Sequence, residues 1–168
     1  MSVNKSELPF LSATLLSRLM AAKEVSPVEA TEAYLERIQS LDNTLRAFVT
    51  VTADAALVSA KRSEQEIVKG EHRGPMHGIP VGVKDQIYTN GVRTTGGSHL
   101  YNDFVPLFDA TVVENLKKAG AVMLGKLNMT EFATTALSHQ FDPPKNPWNF
   151  TLSTGGSSSG CGAATAAS

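Results

Sequence analysis

A chain of 168 residues with 42% hydrophobic and 18% charged residues is long enough, and apolar enough, to bury one globular core. Its net charge of −1 leaves no broad charged face for nucleic acid or an anionic membrane. No apolar run approaches the ~20 residues of a membrane helix, and Met1 to Phe10 lacks the charged-then-apolar pattern of a secretory leader. The single Cys161 excludes an internal disulfide and fits a reducing compartment, so the cytoplasm is the expected address.

Residues 1–10 read as an irregular lead-in. Ser12 is placed to cap a helix whose apolar stripe is Leu11, Leu15, Leu16, Leu19 and Met20. Ser26-Pro27-Val28-Glu29 is a capping box with proline at the first helical position, where its missing N–H costs nothing. The helix it opens carries Tyr34, Ile38 and Leu41 and is expected to end near Asp42-Asn43. A third helix is predicted from Asp54 to Lys69, with Gly70 as its left-handed stop. A basic loop broken by Gly74, Pro75 and Gly78 follows.

Beyond the loop the periodicity changes. Ile79 to Lys84 predicts a short buried strand ending in a charge. Asp109 is placed to cap a helix through Val112, Val113 and Leu116 that stops at Gly120. Ala121 to Lys126 is a continuous apolar run, the pattern of a strand buried on both faces. Helix followed by buried strand implies an α/β core. Residues 136–153, with Pro143, Pro144, Pro147 and Trp148, predict a long surface loop in which Trp148 anchors on the core. Cys161 to Ser168 begins a helix of small side chains that permits close backbone packing, and it has no stop signal, so the chain reads as the front part of a larger domain.

Two sites carry chemistry. Lys84 closes an apolar run; burial would make its amine a usable base, while a lysine snorkelling to water from a strand end is the plainer alternative. Asp85 beside it would hold Lys84 charged if the two paired, but strand neighbours point to opposite faces. The second site is Thr154-Gly155-Gly156-Ser157-Ser158-Ser159-Gly160, hydroxyls on a backbone free to take unusual dihedrals. A flexible linker is the competing reading, although the run sits between Trp148 and an alanine-rich helix. A phosphate-cradling loop is disfavoured because Cys161 stands where that motif needs lysine.

Six blocks in order make the chain resemble the amidase signature family. They are Gly78-Ile79-Pro80-Val81-Gly82-Val83-Lys84-Asp85; Thr95-Gly96-Gly97-Ser98; Asp109-Ala110-Thr111-Val112-Val113; Gly120 through Phe132; Lys145-Asn146-Pro147-Trp148; and Gly155-Gly156-Ser157-Ser158-Ser159-Gly160. The chain is similar both to stand-alone amidases and to the A subunit of glutamyl/aspartyl-tRNA amidotransferase. The resemblance implies an α/β fold in which N-terminal helices pack on a mixed sheet sandwiched by helices. Residues 1–70 would be its helical segment, and 71–168 the start of the α/β core of one domain.

The same resemblance implies a Ser–cis-Ser–Lys triad without metal or organic cofactor. Lys84 matches the base and Ser157 the cis-Ser that bridges it to the nucleophile. Ser158 would lie behind them, bonding near Lys84. The acylated serine of the family falls about two dozen residues beyond the cis-Ser, past Ser168, in a turn that also supplies the oxyanion hole. The 168-residue chain is therefore expected to carry two triad members and to be inactive alone. The implied reaction is hydrolysis of linear amides through an acyl-enzyme. The alternatives are an amidotransferase A subunit releasing ammonia from glutamine, and a non-catalytic fragment. The implied partners are a small amide substrate and either a homodimer mate or amidotransferase subunits, with neither nucleic acid nor membrane bound directly.

The remaining candidates have plainer readings. His72, His77, His99 and His139 do not fall at metal-ligand spacing. His77 reads as a loop residue, Cys161 as a small packed residue, and Gln86 has no assigned role. Residues 131–135 line the acyl pocket by analogy with the family, or form a short core helix. Lys61, Arg62, Lys69 and Arg73 read as a solvated face.

Overall fold

The computed structural model describes residues 4–134 and 139–167, and shows a mixed α/β fold. In chain order the elements are α1 (Ala13–Ala21), α2 (Pro27–Leu45), β1 (Phe48–Val51), α3 (Ala53–Val68), β2 (Pro80–Lys84), α4 (Thr111–Lys118), β3 (Val122–Leu127) and α5 (Ser159–Ala167). The sheet has the order β1-β3-β2. β1 runs antiparallel to β3, with Phe48 opposite Leu127 and Thr50 opposite Lys126. β2 and β3 advance together: Val122 N–H donates to Ile79 O at 2.9 Å and Asp85 N–H to Leu127 O at 3.0 Å, so this pair is parallel. The expected mixed sheet is therefore present, with β3 at its centre.

Local signals set most of the boundaries. Ser12 accepts from Leu15 N–H at 3.2 Å at the start of α1. At α2, Ser26 Oγ accepts from Val28 and Glu29 N–H while Glu29 accepts from Ser26 N–H at 2.9 Å, the reciprocal capping box. Gly70 and Gly120, with φ of +85° and +80°, stop α3 and α4 in the left-handed region. Several features differ from expectation. Residues 5–10 form a 3-10 helix capped by Asn4 instead of an irregular lead-in. α2 continues to Leu45, where the Asp42 carboxylate accepts from Ala47 and Phe48 N–H and turns the chain into β1. β1 itself has no forecast. Last, β2 lies at a sheet edge and is only half-buried, because its far side has no strand partner among the described residues.

The chain divides into two compact units. The first comprises Met1–Gln39, Thr52–Val81 and Glu114–Leu124. Its core is Leu8, Leu16, Met20, Val25, Ala30, Ala33, Ile67 and Ile79, with Met76 and Val81 packed against it, so the helices close around the leading end of β2. His77 is fully buried in this unit instead of lying on an open loop. Its Nδ1 accepts from Arg73 N–H at 3.1 Å and its Nε2 faces Glu66 Oε2 at 3.0 Å. That network defines a neutral ring with the proton on Nε2. Glu66 also pairs with Arg73, so one cation of the expected solvated face is drawn into a structural cluster.

The second unit comprises Ser40–Val51, Gly82–Val113 and Gly125–Ser168. Here Trp148 departs from expectation: the residue is 85% exposed. The turn is held instead by Asn146 Oδ1, which accepts from Trp148 N–H at 3.0 Å, and by Asn149, so it needs no aromatic anchor. The 3-10 helix Glu131–Ala133 has no buried residue and is not a core helix. Thr135, like residues 136–138 of the expected surface loop, lies outside the described residues; from His139 to Ser153 the chain is without helix or strand and mostly exposed.

Two outcomes follow from the His77 cluster. A Cβ on Gly120 would run into the His77 ring at a left-handed φ, so Gly120→Ala is expected to lower stability by about 1–3 kcal/mol, read as a fall in the urea midpoint. Burial pushes His77 below its ordinary 6.5, against the opposing pull of Glu66. The unfolded chain then takes up more protons, so this contribution is present above about pH 6.5 and is lost as pH falls from there through the folded value. The thermal midpoint should drop across that window, and His77→Gln should flatten the drop; His139, lowered for the same reason, supplies the residual slope.

Candidate active site

The second unit brings the two sequence candidates together. Lys84 leaves the end of β2 half-buried, and its Nζ donates to Ser157 Oγ at 2.8 Å. Ser157 stands two residues before α5, on a turn made by Gly155 and Gly156 at φ of +76° and +48°. These left-handed residues swing the hydroxyl back toward the sheet, a path that a residue with a Cβ would resist.

Every peptide bond among the described residues is trans, including the one before Ser157. This corrects the expected cis-Ser. A non-proline cis bond costs about 3–4 kcal/mol and persists only where packing enforces it. Gly155 and Gly156 are exposed, with open space where a Cβ would stand. Ser158 is exposed at the start of the helix, and its hydroxyl makes no hydrogen bond to Lys84. Its carbonyl accepts from Gly162 N–H at 3.1 Å.

Asp85 does not pair with Lys84. As neighbours on an extended chain the two diverge, and Asp85 turns inward to Lys126. Both are fully buried, with Lys126 Nζ 3.7 Å from Asp85 Oδ1. Lys126 donates to Ile87 O at 2.7 Å and to Thr94 Oγ1 at 2.6 Å. Asp85 Oδ2 accepts from Thr95 N–H at 3.0 Å and from the Thr95 hydroxyl. Burial brings the Lys126 amine down to about 8, against the opposing attraction of Asp85. This buried ionic cluster ties β2 and β3 to the Thr95-Gly96-Gly97-Ser98 turn. At Gly97 a Cβ would meet the Met129 and Thr130 carbonyls at 2.9 and 3.0 Å, which explains the glycine.

Sequence reasoning missed Lys126 and Asn128 as parts of this neighbourhood. The available signal was polar: each interrupts or closes an apolar run that forms a buried strand, where a lone charge or amide needs partners. It also missed that Cys161 lies within the field of the Lys84 charge. Burial pushes the thiol up while the Lys84 charge pulls the other way. Among the described residues no group of three or more His, Cys, Asp or Glu is placed to hold a metal ion. No described helix is long and apolar enough to cross a membrane.

A close amine–hydroxyl pair at the mouth of a Gly/Ser turn is capable of proton exchange, and known proteins share the sequence and fold around it. The model of the family described as Amidase matches residues 29–168. The chain belongs to the amidase family. It is similar to the A subunit of a glutamyl-tRNA(Gln) amidotransferase from Moorella thermoacetica, at 47% identity over 163 residues, 96% of this chain and 34% of the relative. Among solved structures it is similar to the native peptide amidase of Stenotrophomonas maltophilia, with TM-score 0.82 and 37% identity over 91% of this chain and 34% of that one. A fatty acid amide hydrolase matches with TM-score 0.87 and 28% identity over 99% of this chain and 31% of that one. The chain spans about a third of the length of these relatives.

The ionic cluster predicts its own mutant. Lys126→Met leaves Asp85 buried without its counter-charge and should cost about 3–5 kcal/mol, by equilibrium urea denaturation. Adding Asp85→Asn should recover part of that loss, because the uncompensated charge is then gone.

Proposed function

We propose that this chain supplies the proton-transfer half of an amide hydrolase. The observation that supports the reading is the 2.8 Å hydrogen bond from Lys84 Nζ to Ser157 Oγ within a chain of the amidase family. Lys84 is the ultimate base, acting through its side-chain nitrogen. Ser157 passes a proton to it and takes one from the nucleophilic serine, which family resemblance puts beyond Ser168. That serine oxygen attacks the amide carbon and forms an acyl-enzyme. The proton now on Lys84 returns through Ser157 to the leaving nitrogen, which departs as amine or ammonia. Water then attacks the acyl carbonyl along the same path, and the acid is released with the serine restored. The family's cis geometry at Ser157 is not needed for this contact; the left-handed glycines deliver the hydroxyl with a trans backbone.

The substrate class is a linear amide. The second reading, release of ammonia from glutamine by an amidotransferase A subunit, is favoured by the 47% identity to such a subunit in Moorella thermoacetica. Under that reading the partners are further amidotransferase subunits. The protein carries out its chemistry in the cytoplasm under either reading.

Activity assays on the protein expressed from its complete reading frame test the proposal. Lys84→Ala and Ser157→Ala are each expected to reduce kcat for amide hydrolysis by about a thousandfold or more, the scale of losing a triad member. Full activity in either variant would refute the assignment. Glutamine hydrolysis that rises on adding partner subunits separates the amidotransferase reading from a free amidase. The 168-residue chain by itself is expected to take no covalent label from a fluorophosphonate, read by intact mass.

A further inference from the structure

We propose that Asn128 is a positioning residue that holds the Ser157 turn against Lys84. The inference rests on the reading of Lys84 and Ser157 as proton-transfer partners, but its evidence is separate. Asn128 ends β3's run just past Leu127 and is almost completely buried. Every polar group it has is used. Its Nδ2 donates to Arg46 O and to Asp142 O, both at 3.0 Å, and its Oδ1 accepts from Met129 N–H at 2.7 Å. Its main-chain N–H donates to Ala47 O at 2.8 Å, and its carbonyl accepts from Gly160 N–H at 2.9 Å.

Those bonds join three separate stretches to the sheet: the turn leading into β1, the 142 loop and the start of α5. Two residues on, Thr130 N–H donates to Ser157 O at 3.2 Å. The hydroxyl turn is thus gripped on both sides, at Ser157 by Thr130 and at Gly160 by Asn128, with Ser157 Oγ left to face Lys84. The grip is close. A Cβ at Gly160 would meet the Asn128 nitrogen at 2.5 Å and its carbonyl at 2.6 Å, and would also run into the Ala47 carbonyl.

Only asparagine suits the position. Aspartate has no N–H to offer the Arg46 and Asp142 carbonyls, glutamine is a methylene too long for the local bond to Met129, and an apolar residue leaves all three backbone groups without this partner, the Met129 N–H among them buried. Without the carboxamide, the 128–130 segment loses its bond to the 142 loop and one of its two bonds to the turn leading into β1, and the surface that sets the distance from Ser157 to Lys84 is free to shift.

The test reads that distance chemically. On the protein expressed from its complete reading frame, competitive acetylation of lysines with acetic anhydride is followed by mass spectrometry. Lys84 is half-buried and hydrogen-bonded to Ser157, whereas Lys126 is fully buried and reports general loosening. In Asn128→Ala, Lys84 acetylation is expected to rise about fivefold, the scale of one lost hydrogen bond, to the level seen in Ser157→Ala, with Lys126 unchanged. Unchanged Lys84 labelling, or an equal rise at both lysines, would overturn the proposal. Gly160→Ala presses on the same grip from the helix side and covers the case in which Asn128→Ala does not fold. It is expected to give the same Lys84-selective rise, and its failure to do so also counts against the proposal. Because the readout does not depend on turnover, it stands apart from the activity losses in Lys84→Ala and Ser157→Ala that test the catalytic reading.

Discussion

One hydrogen bond closes a stretch of 73 residues: Lys84 Nζ meets the hydroxyl of Ser157 at 2.8 Å. A contact that distant in sequence carries a loop-closure cost that a single bond of about 1 kcal/mol does not repay. Other interactions must already hold the two ends in place. The strand pairing of β2 with β3 positions Lys84, and the backbone bonds from Asn128 and Thr130 position the turn bearing Ser157. The reactive pair is thus a consequence of the sheet and of the small-residue helix beside it, not a cause of either.

The arrangement uses β3 as the common reference. Its second half carries Lys126, which neutralises Asp85 and orders the Thr95 turn. Its end carries Asn128, which gathers three other segments. Charged and amide groups buried this deeply are costly unless fully partnered. Their partners here are mostly backbone carbonyls and N–H groups of loops, and binding those groups is how a strand dictates the course of loops it does not pair with. Asp85 is thereby engaged away from Lys84, so the adjacent carboxylate does not lock the lysine in a salt bridge.

Glycine enters where backbone must approach backbone. Gly125 lies against the Thr50 carbonyl at the irregular β1–β3 register, and Gly160 lies against Ala47 and Asn128. At the start of α5 the backbone hydrogen-bonds to a strand end, which leaves no room for a side chain at Gly160.

The sequence alone determined the features governed by neighbours in the chain. The Ser12 and Ser26 caps, the glycine stops after α3 and α4, the apolar run of β3 and the α/β class were legible because capping, left-handed stops and hydrophobic runs act within a few residues. The six ordered blocks likewise marked Lys84 and Ser157 before any contact between them was visible. Tertiary structure decided the rest. Four residues, Phe48–Val51, are too few for a period to show, and they become β1 only because β3 offers an edge to pair with. His77 is buried because Gly120, at the end of α4, closes on its ring. The trans bond before Ser157 and the engagement of Asp85 by Lys126 belong to the same class. Each depends on which groups from distant parts of the chain arrive alongside, and that information exists only once the chain has folded.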